Sequence, residues 1–543
     1  MYKKLAIAFS VANLCFFKTW SELLHPPTFD YLYFCKDYPG YASLIALLIN
    51  VLVLTAIFFA GFSLLWQSGN LIFKNLARAS FLVIFLRALN GIRVHFAPLN
   101  TSHLRTVFGR TGFFALGMVL LGLLILAITR FGLERVTRKA AIAVLILFPF
   151  GLLGMTQGTW LAIKYGQRWH ERPPAPLLQV NTRAQPRVLW LIFDEMSEEL
   201  TFANRPPGVS LPNLDRLRTE ALLATNAFAP AAHTTQSIPA LLTGRMIAFV
   251  KPAGPDELML KFPERPAAVG WTTQSDIFSE VRAAGFNTAV VGWYHPYCRV
   301  IGDRLTSCLW EPVGLPTEPS RISLIGRLLR QQADLLPLLP FTGRIREQIV
   351  RRTEGDYRIP HVAAYDSLVG AAARAAANPG LGLTFVHLPV PHPPYVYDRR
   401  TAVLDISSSH EYLDNLALAD RALGELRQAM ERGGTWEGTT ILISSDHWWR
   451  TDYWQSVKLD HFWAQTDAGN LRERDDHRVP FLLRMAGQKS ASTYDPPFNT
   501  VQTHDLILEI MKGKITNGEQ VAPWLDSHRT IGESPYRDYN DPQ

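Results

Sequence analysis

Three uncharged apolar runs in the first third of the chain restrict its fold more than any other feature. They span Tyr41 to Trp66, Thr111 to Thr129 and Ala140 to Ile163, which are 26, 19 and 24 residues long. As helices, each is long enough to cross about 30 Å of hydrocarbon. The runs stop near residue 163 of 543. This pattern predicts a helical membrane domain over residues 1–163, followed by a larger domain outside the bilayer.

Two further segments, Leu5 to Phe17 and Ala79 to Phe96, are interpreted as additional spans, which gives about five helices. The first segment has only 13 residues and the second contains Arg87 and Arg93. A cleaved signal peptide is the alternative for the first segment, but no small-x-small cleavage site follows it and more spans come after it. The two arginines either bind lipid phosphate near the interface or mark a partly exposed amphipathic helix.

The charge distribution predicts the orientation of the larger domain. With five spans, the loops expected inside hold eight basic residues and those expected outside hold three. Because basic loops favour the cytoplasm, residues 164–543 are expected on the periplasmic or extracellular side of a bacterial-type inner membrane. Residues 1–163 carry a formal net charge of +10 and the remainder carries −3. The larger domain therefore lacks the basic excess typical of nucleic-acid binding, and we expect no nucleic-acid partner.

A proline-rich stretch, Arg172 to Pro176, predicts a linker over residues 164–186. Beyond it, apolar strands alternate with helical patterns, which predicts an α/β domain over residues 187–515 with a largely parallel, doubly wound sheet covered by helices on both faces. A C-terminal tail covers residues 516–543. The predicted strands are 187–193, 288–292, 383–388 and 439–445, and the predicted helices are 212–224, one after 234, 275–284, 362–377 and 411–431.

Cys298 and Cys308 lie ten residues apart in the domain expected outside the cytoplasm, where oxidation is permitted. We interpret them as a disulfide, with two free buried thiols as the alternative. No other cysteine lies in that domain, which argues against a thiolate metal site.

Polar side chains follow three of the predicted strands. Asp194 and Glu195 follow the first strand, His387 lies in the strand over residues 383–388, and Asp446 and His447 follow the last. Because ligands of open α/β sheets collect at the carboxyl ends of the strands, we expect these side chains to converge. They offer oxygen and nitrogen ligands suited to Zn²⁺, although Mn²⁺ or Ca²⁺ would also accept much of the set.

A threonine, Thr234, stands where a helix is predicted to begin. The small apolar residues that follow it would pack this helix against a sheet, and a helix start offers N–H groups and a positive dipole end to a phosphate. A threonine hydroxyl is almost fully protonated at neutral pH, so it needs a base or a metal to become a nucleophile. The pattern favours a metal-activated threonine, with an ordinary helix cap as the alternative.

Residues 187–510 resemble the alkaline phosphatase and sulfatase superfamily, and within it the membrane-anchored phosphoethanolamine and phosphoglycerol transferases. The stretch 212–215, Pro-Asn-Leu-Asp, matches a family motif. Alignment on Leu241 to Arg245 places Thr234 where sulfatases carry the cysteine that becomes formylglycine. Alignment on Ser237-x-Pro239 places it where the transferases carry their threonine nucleophile. The five-span module also resembles that of the lipid A phosphoethanolamine transferases.

The resemblance also separates two kinds of chemistry. Formylglycine requires Cys or Ser in a Cys-x-Pro-x-Arg context, and Thr234 begins Thr-Thr-Gln-Ser-Ile instead, so none can form. Gly292 to His295 is similar to the sulfatase Gly-Lys-Trp-His segment, but Trp293 occupies the lysine position that would contact sulfate. His295 is expected to line the pocket as a substrate or second-metal residue.

The same resemblance implies a set of metal ligands. Glu195 matches the single acid of the transferases, and Asp194 matches the additional acid of the sulfatases. The implied metal-binding residues are Asp194, Glu195, Thr234, Asp446 and His447.

Three histidines complete the expected site. His387 and His392 match two family histidines five residues apart and are acid/base or second-metal candidates. The third family histidine directly precedes a Val-Pro pair, a place that Arg478 holds here. His477 is therefore either shifted by one position or merely exposed.

The implied activity is transfer of a phosphoethanolamine or phosphoglycerol head group from a phospholipid, through a phosphothreonine, to an envelope glycan or lipid. A membrane-anchored sulfatase-like hydrolase or phosphodiesterase, in which water is the acceptor, is one alternative. A catalytically idle envelope scaffold is another. Residues 311–360 match no family motif, and we interpret them as an acceptor site or a membrane-facing flap.

Overall fold

A computed structural model describes residues 2–24, 32–36, 40–67, 69–95, 99, 101–179, 185–313, 322–336, 342–354, 356–456, 462–464, 466–467 and 477–528. Parts of the predicted segments lie outside the described residues: 1, 25–31, 37–39, 68, 96–98 and 100 of the membrane domain, 180–184 of the linker, 314–321, 337–341 and 355 of the 311–360 segment, 457–461, 465 and 468–476 of the α/β domain, and 529–543 of the tail.

The described helices are, in chain order, α1 (Tyr2–Cys15), α2 (Phe17–Leu24), α3 (Gly40–Gln67), α4 (Leu71–His95), α5 (Thr101–Phe131), α6 (Leu133–Ile146), α7 (Phe148–Gly166), α8 (Pro212–Arg218), α9 (Thr234–Thr243), α10 (Ile277–Ala283), α11 (Tyr297–Val300), α12 (Leu324–Ala333), α13 (Gly343–Glu354), α14 (Arg358–Ala377), α15 (Tyr412–Arg432), α16 (Thr451–Ser456), α17 (Thr503–Met511) and α18 (Val521–His528).

The described strands are β1 (Val188–Asp194), β2 (Leu222–Phe228), β3 (Phe249–Gly254), β4 (Glu257–Lys261), β5 (Val269–Gly270), β6 (Thr288–Trp293), β7 (Ser307–Glu311), β8 (Leu383–Pro391), β9 (Tyr397–Asp398), β10 (Val403–Leu404), β11 (Thr440–Ser445), β12 (Arg478–Arg484), β13 (Ser492–Tyr494) and β14 (Phe498–Asn499).

The chain forms two compact units that exchange segments along the sequence. Unit 1 comprises Met1–Thr28, Asp37–Arg168 and Pro316–Gly355, and unit 2 comprises Phe29–Lys36, Trp169–Leu315 and Asp356–Gln543. The predicted domains, with boundaries at residues 163, 186 and 515, are linear in sequence. The units differ from them in the two exchanged segments, 29–36 and 316–355.

Unit 1 is helical, and three of its stretches are long and apolar enough to cross a membrane. They are Gly40–Leu64, His103–Phe131 and Leu133–Gly166, and each overlaps one of the three long apolar runs. The two shorter predicted spans fall on α1 and α4, which are not among the candidate spans found in the described residues.

The segment inserted into unit 1 packs on α3 through polar contacts. The side-chain amide of Asn50 donates to the carbonyl oxygen of Leu328 at 3.1 Å and to Oε1 of Gln331 at 3.0 Å. The guanidinium of Arg327 donates to the hydroxyl of Ser43 at 2.6 Å. Most of the 311–360 segment therefore belongs to the helical unit, and its role as an acceptor site or flap stays a prediction.

Unit 2 contains a nine-stranded mixed sheet in the order β13-β2-β12-β11-β1-β8-β6-β7, with β14 also pairing β2. The central β1 pairs in parallel with β11 and with β8, and β6 continues the parallel arrangement to β7. Within this sheet, as far as the structure describes it, only β12 runs antiparallel to both of its neighbours. The predicted α/β fold class is confirmed.

Both faces of the sheet are covered, as a doubly wound domain requires. All seven residues of β1 are buried, because alternate side chains point into two separate cores. One core holds Trp190 with apolar residues of α9, α10 and α17, and the other holds Leu191 with apolar residues of α8, α14 and α15. Such two-sided burial explains why the strand reads as a continuous apolar run.

The structure corrects one predicted helix and decides between the two alternatives for Cys298 and Cys308. The predicted helix over residues 212–224 is wrong beyond Arg218, because Leu222–Phe228 forms β2 and its backbone pairs with β12 and β13. A short apolar run is compatible with either structure, and distant strands decide the outcome here. The predicted disulfide is confirmed, since Cys298 and Cys308 are bonded with their Cα atoms 5.7 Å apart.

Candidate active site

Three neighbouring parallel strands, β11, β1 and β8, bring the predicted polar residues together. Asp194 is the last residue of β1, His387 lies in β8 opposite Ile192, and Asp446 and His447 directly follow β11. All four of these polar side chains are fully buried. The convergence follows from parallel pairing, which aligns the ends of adjacent strands at one edge.

Thr234 is the first residue of α9 and faces this edge. Its hydroxyl oxygen lies 3.2 Å from Oδ2 of Asp194 and 3.2 Å from Nε2 of His447. Ser237, one turn later in the helix, donates to the carbonyl oxygen of Asp446 at 2.5 Å. These contacts fix the start of α9 against the ends of β1 and β11, so the threonine hydroxyl lies between a carboxylate and an imidazole.

The other end of α9 requires glycine. Gly244 has φ +66° and caps the helix in the left-handed conformation. A Cβ at this position would lie 2.7 Å from the ring of His504, so both the backbone conformation and the available space exclude a side chain. The glycine allows the C-terminal end of α9 to pack closely against His504.

Two overlapping groups of potential metal ligands occur among the described residues. One group comprises Asp194, Asp446 and His447, and the other comprises Asp194, Glu195 and His392. Within each group, one ligand atom from each residue lies within 4.8 Å of the others. The structure thus brings together five of the residues predicted from the sequence.

The electrostatics of the first group fit a cation. Burial, followed by the neighbouring charge of Asp194, raises the pKa of Asp446 to about 8. Burial and the charge of Glu195 raise the pKa of Asp194 well above its usual value. Asp194 Oδ1, Asp446 Oδ2 and His387 Nε2 are buried without a hydrogen-bond partner among the described residues. Buried acids and orphaned ligand atoms of this kind would be satisfied by a divalent ion.

Two histidines present a ring nitrogen lone pair to the site. Nδ1 of His447 lies 2.9 Å from the carbonyl oxygen of Trp448, and Nδ1 of His387 lies 3.0 Å from that of Trp293. Because a carbonyl only accepts, each Nδ1 carries the proton and each Nε2 is left as a potential ligand or base. Burial lowers the pKa of His387 to about 4 and that of His447 well below its usual value, so both rings are neutral.

Glu195 and Asp194 differ in what they contact. One oxygen of Glu195 accepts from Nε of Arg450 at 2.7 Å, and the other accepts from the indole N–H of Trp454 at 2.7 Å. Glu195 also has φ +63°, in the left-handed region that non-glycine residues rarely adopt. Of the two acids, Asp194 contacts Thr234, whereas Glu195 is held by Arg450; metal binding by Glu195 stays a prediction.

The remaining predicted histidines occupy distinct places. His392 packs edge-on between Trp293 and Trp454, with ring centroids 4.9 and 5.1 Å away. His295 uses both ring nitrogens, Nε2 at 3.0 Å from the Thr234 carbonyl oxygen and Nδ1 at 3.0 Å from the Tyr33 hydroxyl.

His477 has φ +59° and stacks on Trp448 at 4.1 Å. Neither His295 nor His477 belongs to a metal-ligand group in the described part of the chain. A metal-binding role for either histidine therefore stays a prediction.

Sequence reasoning missed a second layer of polar residues. Arg450 donates to Glu195 and also contacts Nδ1 of His233 at 2.8 Å; burial and this guanidinium lower the pKa of His233 to about 4. The hydroxyl of Tyr294 lies 2.9 Å from that of Thr235. Arg450 could have been identified from the sequence as a candidate site residue, because it lies three residues after His447.

Comparison with known proteins identifies one family. The family model described as Sulfatase matches residues 186–299 and 356–513, half of the chain. These ranges contain every candidate ligand, nucleophile and histidine predicted from the sequence. A search of curated proteins found no match.

Several solved structures are similar to the chain. Ps i-CgsB in complex with k-i-k-neocarrahexaose is 16% identical over 63% of this chain and 77% of its own, with a TM-score of 0.41. The phosphonate monoester hydrolase of Agrobacterium radiobacter is 15% identical over 60% and 74%, with a TM-score of 0.38. The PsFucS1 sulfatase from Pseudoalteromonas sp. is 17% identical over 60% and 68%, with a TM-score of 0.36.

Proposed function

Because the chain belongs to the sulfatase family, we propose that it is a membrane-anchored, metal-dependent transferase that moves a phosphate-linked head group from a phospholipid to an envelope glycan or lipid. One observation carries the proposal. The hydroxyl of Thr234, the residue that the family resemblance aligns with the formylglycine precursor of sulfatases, lies 3.2 Å from both a carboxylate and an imidazole. A threonine cannot become formylglycine, but it can act directly as a nucleophile.

The residues that would hold the metal are Asp194, Asp446 and His447, together with Thr234. Their oxygen and nitrogen atoms suit Zn²⁺, with Mn²⁺ and Ca²⁺ as alternatives. When bound, a divalent cation would lower the pKa of the threonine hydroxyl and balance the negative charge of the phosphate.

In the first half-reaction, Thr234 Oγ1 forms a bond to the donor phosphorus while the bond from phosphorus to the lipid oxygen breaks. The threonine proton passes to Oδ2 of Asp194, which the hydroxyl contacts at 3.2 Å. The lipid oxygen leaves with the electron pair and takes up the proton that the threonine released. The N-terminus of α9 presents backbone N–H groups to the phosphate, so the head group stays on the enzyme as a phosphothreonine diester.

In the second half-reaction, an acceptor hydroxyl attacks the same phosphorus and Thr234 Oγ1 leaves. The acceptor must lose a proton, which calls for a neutral histidine near the site. Burial and the Arg450 charge lower the pKa of His392 well below its usual value, which keeps this ring unprotonated. His392, with His387 as the other candidate, would accept that proton, and the departing Thr234 Oγ1 would take it up, which restores the free threonine.

Intact mass spectrometry of the full-length protein tests the proposal. The protein and its Thr234→Ala variant would be incubated with Zn²⁺ and either phosphatidylethanolamine or phosphatidylglycerol. We expect a mass increase in the wild type alone, with the size of the increase identifying the head group. A metal-loaded wild type that never gains mass, even after rapid quenching, would contradict the proposal. A purified protein that binds no metal would favour the idle scaffold.

A sulfatase-like hydrolase is the second candidate, because the family match favours it equally. In that case water replaces the acceptor in the second half-reaction. The ratio of head group transferred to a glycan or lipid acceptor to head group released into solution distinguishes the two activities.

A further inference from the structure

A short segment from between two helices of unit 1 is part of the α/β unit. Residues 29–36 belong to unit 2 although the helices before and after them, α2 and α3, belong to unit 1. Within this segment Leu32–Phe34 forms a 3-10 helix, and the side chains of Tyr33 and Cys35 are 0% and 2% exposed. Tyr33 therefore lies in the core of unit 2, with Phe34 packed against it.

Arg299 holds this segment by its backbone. The guanidinium donates to the carbonyl oxygens of Tyr33 at 3.0 Å, Cys35 at 2.7 Å and Lys36 at 3.3 Å. Lys36 also forms an ion pair of 2.9 Å with Glu311 at the end of β7. Three hydrogen bonds from one buried guanidinium hold the backbone at Tyr33 and just after it, and so restrict the position of the Tyr33 side chain.

The Tyr33 side chain reaches the residue that supports Thr234. Its hydroxyl lies 3.0 Å from Nδ1 of His295, and Nε2 of His295 lies 3.0 Å from the carbonyl oxygen of Thr234. Because a carbonyl only accepts, Nε2 carries the proton, and in the neutral ring Nδ1 is then an acceptor. The donor order is Tyr33 to His295 to Thr234.

The ring of His295 has little freedom to find another arrangement. It is fully buried and packs edge-on against Trp271, with ring centroids 5.3 Å apart, and against Tyr297 at 5.7 Å. The backbone of Thr234 in turn sets where its hydroxyl lies relative to Asp194 and His447. Small displacements of a reacting atom slow catalysis. Tyr33, at the other end of this chain of hydrogen bonds, is therefore expected to affect the reaction rate.

We propose that Tyr33 is a positioning residue for Thr234, which it serves by holding His295 in the tautomer that donates to the Thr234 carbonyl. The site is then completed by a segment that the sequence places between two helices of the membrane-associated unit. The kinetic part of this inference rests on the proposed function.

Rates of adduct formation on Thr234 in the full-length protein provide the kinetic test. We expect Tyr33→Phe to slow adduct formation about tenfold with the KM for the lipid unchanged, since one buried hydrogen bond is lost. In a His295→Gln background the same change should alter the rate less than twofold. Lys36→Ala is the matched control, because it removes the surface ion pair of the same segment and leaves the tyrosine in place.

Two kinetic outcomes would overturn the proposal. One is an unchanged rate in Tyr33→Phe. The other is an equal loss in the wild-type and His295→Gln backgrounds, which would mean that Tyr33 acts through general stability.

The ring ¹⁵N resonances of full-length protein labelled at histidine test the inference without any activity. His295→Gln assigns the signals by removing them. We expect Nε2 to be the protonated nitrogen in the wild type, and Tyr33→Phe to shift the Nδ1 resonance or produce a mixture of tautomers, while the other histidine signals stay in place. Unchanged His295 resonances in Tyr33→Phe would refute the positioning role. If no variant forms an adduct, the proposed function fails and the resonances alone decide the inference.

Discussion

Thr234 is the residue at which the proposed chemistry can be separated from the fold. Thr234→Val keeps the size and branching of the side chain but removes the hydroxyl, so α9 should still form. We expect head-group transfer to fall by at least about 10³-fold, as when other nucleophiles are removed. Thr234→Ser restores a hydroxyl and should recover measurable adduct by mass spectrometry. Equal activity in Thr234→Val and the wild type would exclude a threonine intermediate.

Asp446 makes metal binding depend on pH. In metal-free protein its pKa is about 8, whereas an unfolded Asp titrates near 3.9. The folded state therefore holds a proton that the unfolded state has lost, and Asp446 makes the metal-free fold less stable as pH rises from about 4 to about 8. A metal must displace that proton, so affinity for Zn²⁺ should rise with pH up to about 8.

Calorimetric Zn²⁺ titrations between pH 6 and 8, in buffers of different ionisation enthalpy, measure this effect. The wild type should release protons on binding, and Asp446→Asn should bind more weakly with a flatter pH dependence. A wild-type affinity that does not change over this range would contradict the raised pKa.

At the level of single residues, sequence reasoning found the groups that carry a motif and missed those that act through space. Asp446 and His447 follow an apolar strand, and Thr234 opens a helix, so pattern alone located them. Tyr33 lies 262 residues before its hydrogen-bond partner His295 in the chain, and no local pattern could reveal a hydrogen bond that forms only after folding.

The C-terminal end of α9 offers a test at the scale of one element. Gly244 and Gly487 have similar positive φ values, +66° and +74°, but a Cβ would meet His504 at 2.7 Å in the first and nothing within 4 Å in the second. Gly487→Ala should cost about 1–2 kcal/mol of stability from the backbone conformation alone. Gly244→Ala should lower the thermal midpoint further and also slow transfer, because α9 carries Thr234. Equal effects of the two variants would show that the clash is relieved without moving the helix.

The periodicity of the sequence predicted the long helix α15 and the strand β11 correctly, whereas the secondary structure of a shorter apolar run depended on the strands that pair with it. The helix over Tyr412–Arg432 and the strand over Thr440–Ser445 lie within one or two residues of their predicted bounds. In contrast, residues 222–224, the first three of β2, fall within the predicted helix over 212–224, because their apolar side chains fit either structure. Pairing with β12, about 250 residues away, satisfies its backbone as a strand, and such distant pairing cannot be read from a local window.

At the scale of the whole molecule, composition predicted a helical part and an α/β part but not the two exchanged segments. Residues 29–36 and 316–355 each belong to the unit that their sequence neighbours do not. Linear boundaries drawn at changes in hydropathy cannot reveal such exchange, because both segments are short and of mixed polarity. Truncation at a linear boundary would remove Tyr33 from the α/β unit.

The disulfide offers a test of orientation for the whole chain. Disulfides persist outside the reducing cytoplasm, so the side predicted from the basic loops also predicts that the Cys298–Cys308 bond is intact in cells. The chain has four cysteines, and the disulfide joins two of them, Cys298 and Cys308, while Cys15 and Cys35 take part in no disulfide. Protein denatured directly from cells in a polyethylene-glycol maleimide should therefore gain two labels without reductant and four after reduction. A Cys298→Ser, Cys308→Ser variant should gain two labels in both conditions. Four labels on the unreduced wild type would place the α/β unit in the cytoplasm, where a glycan or lipid acceptor of the outer envelope could not reach Thr234.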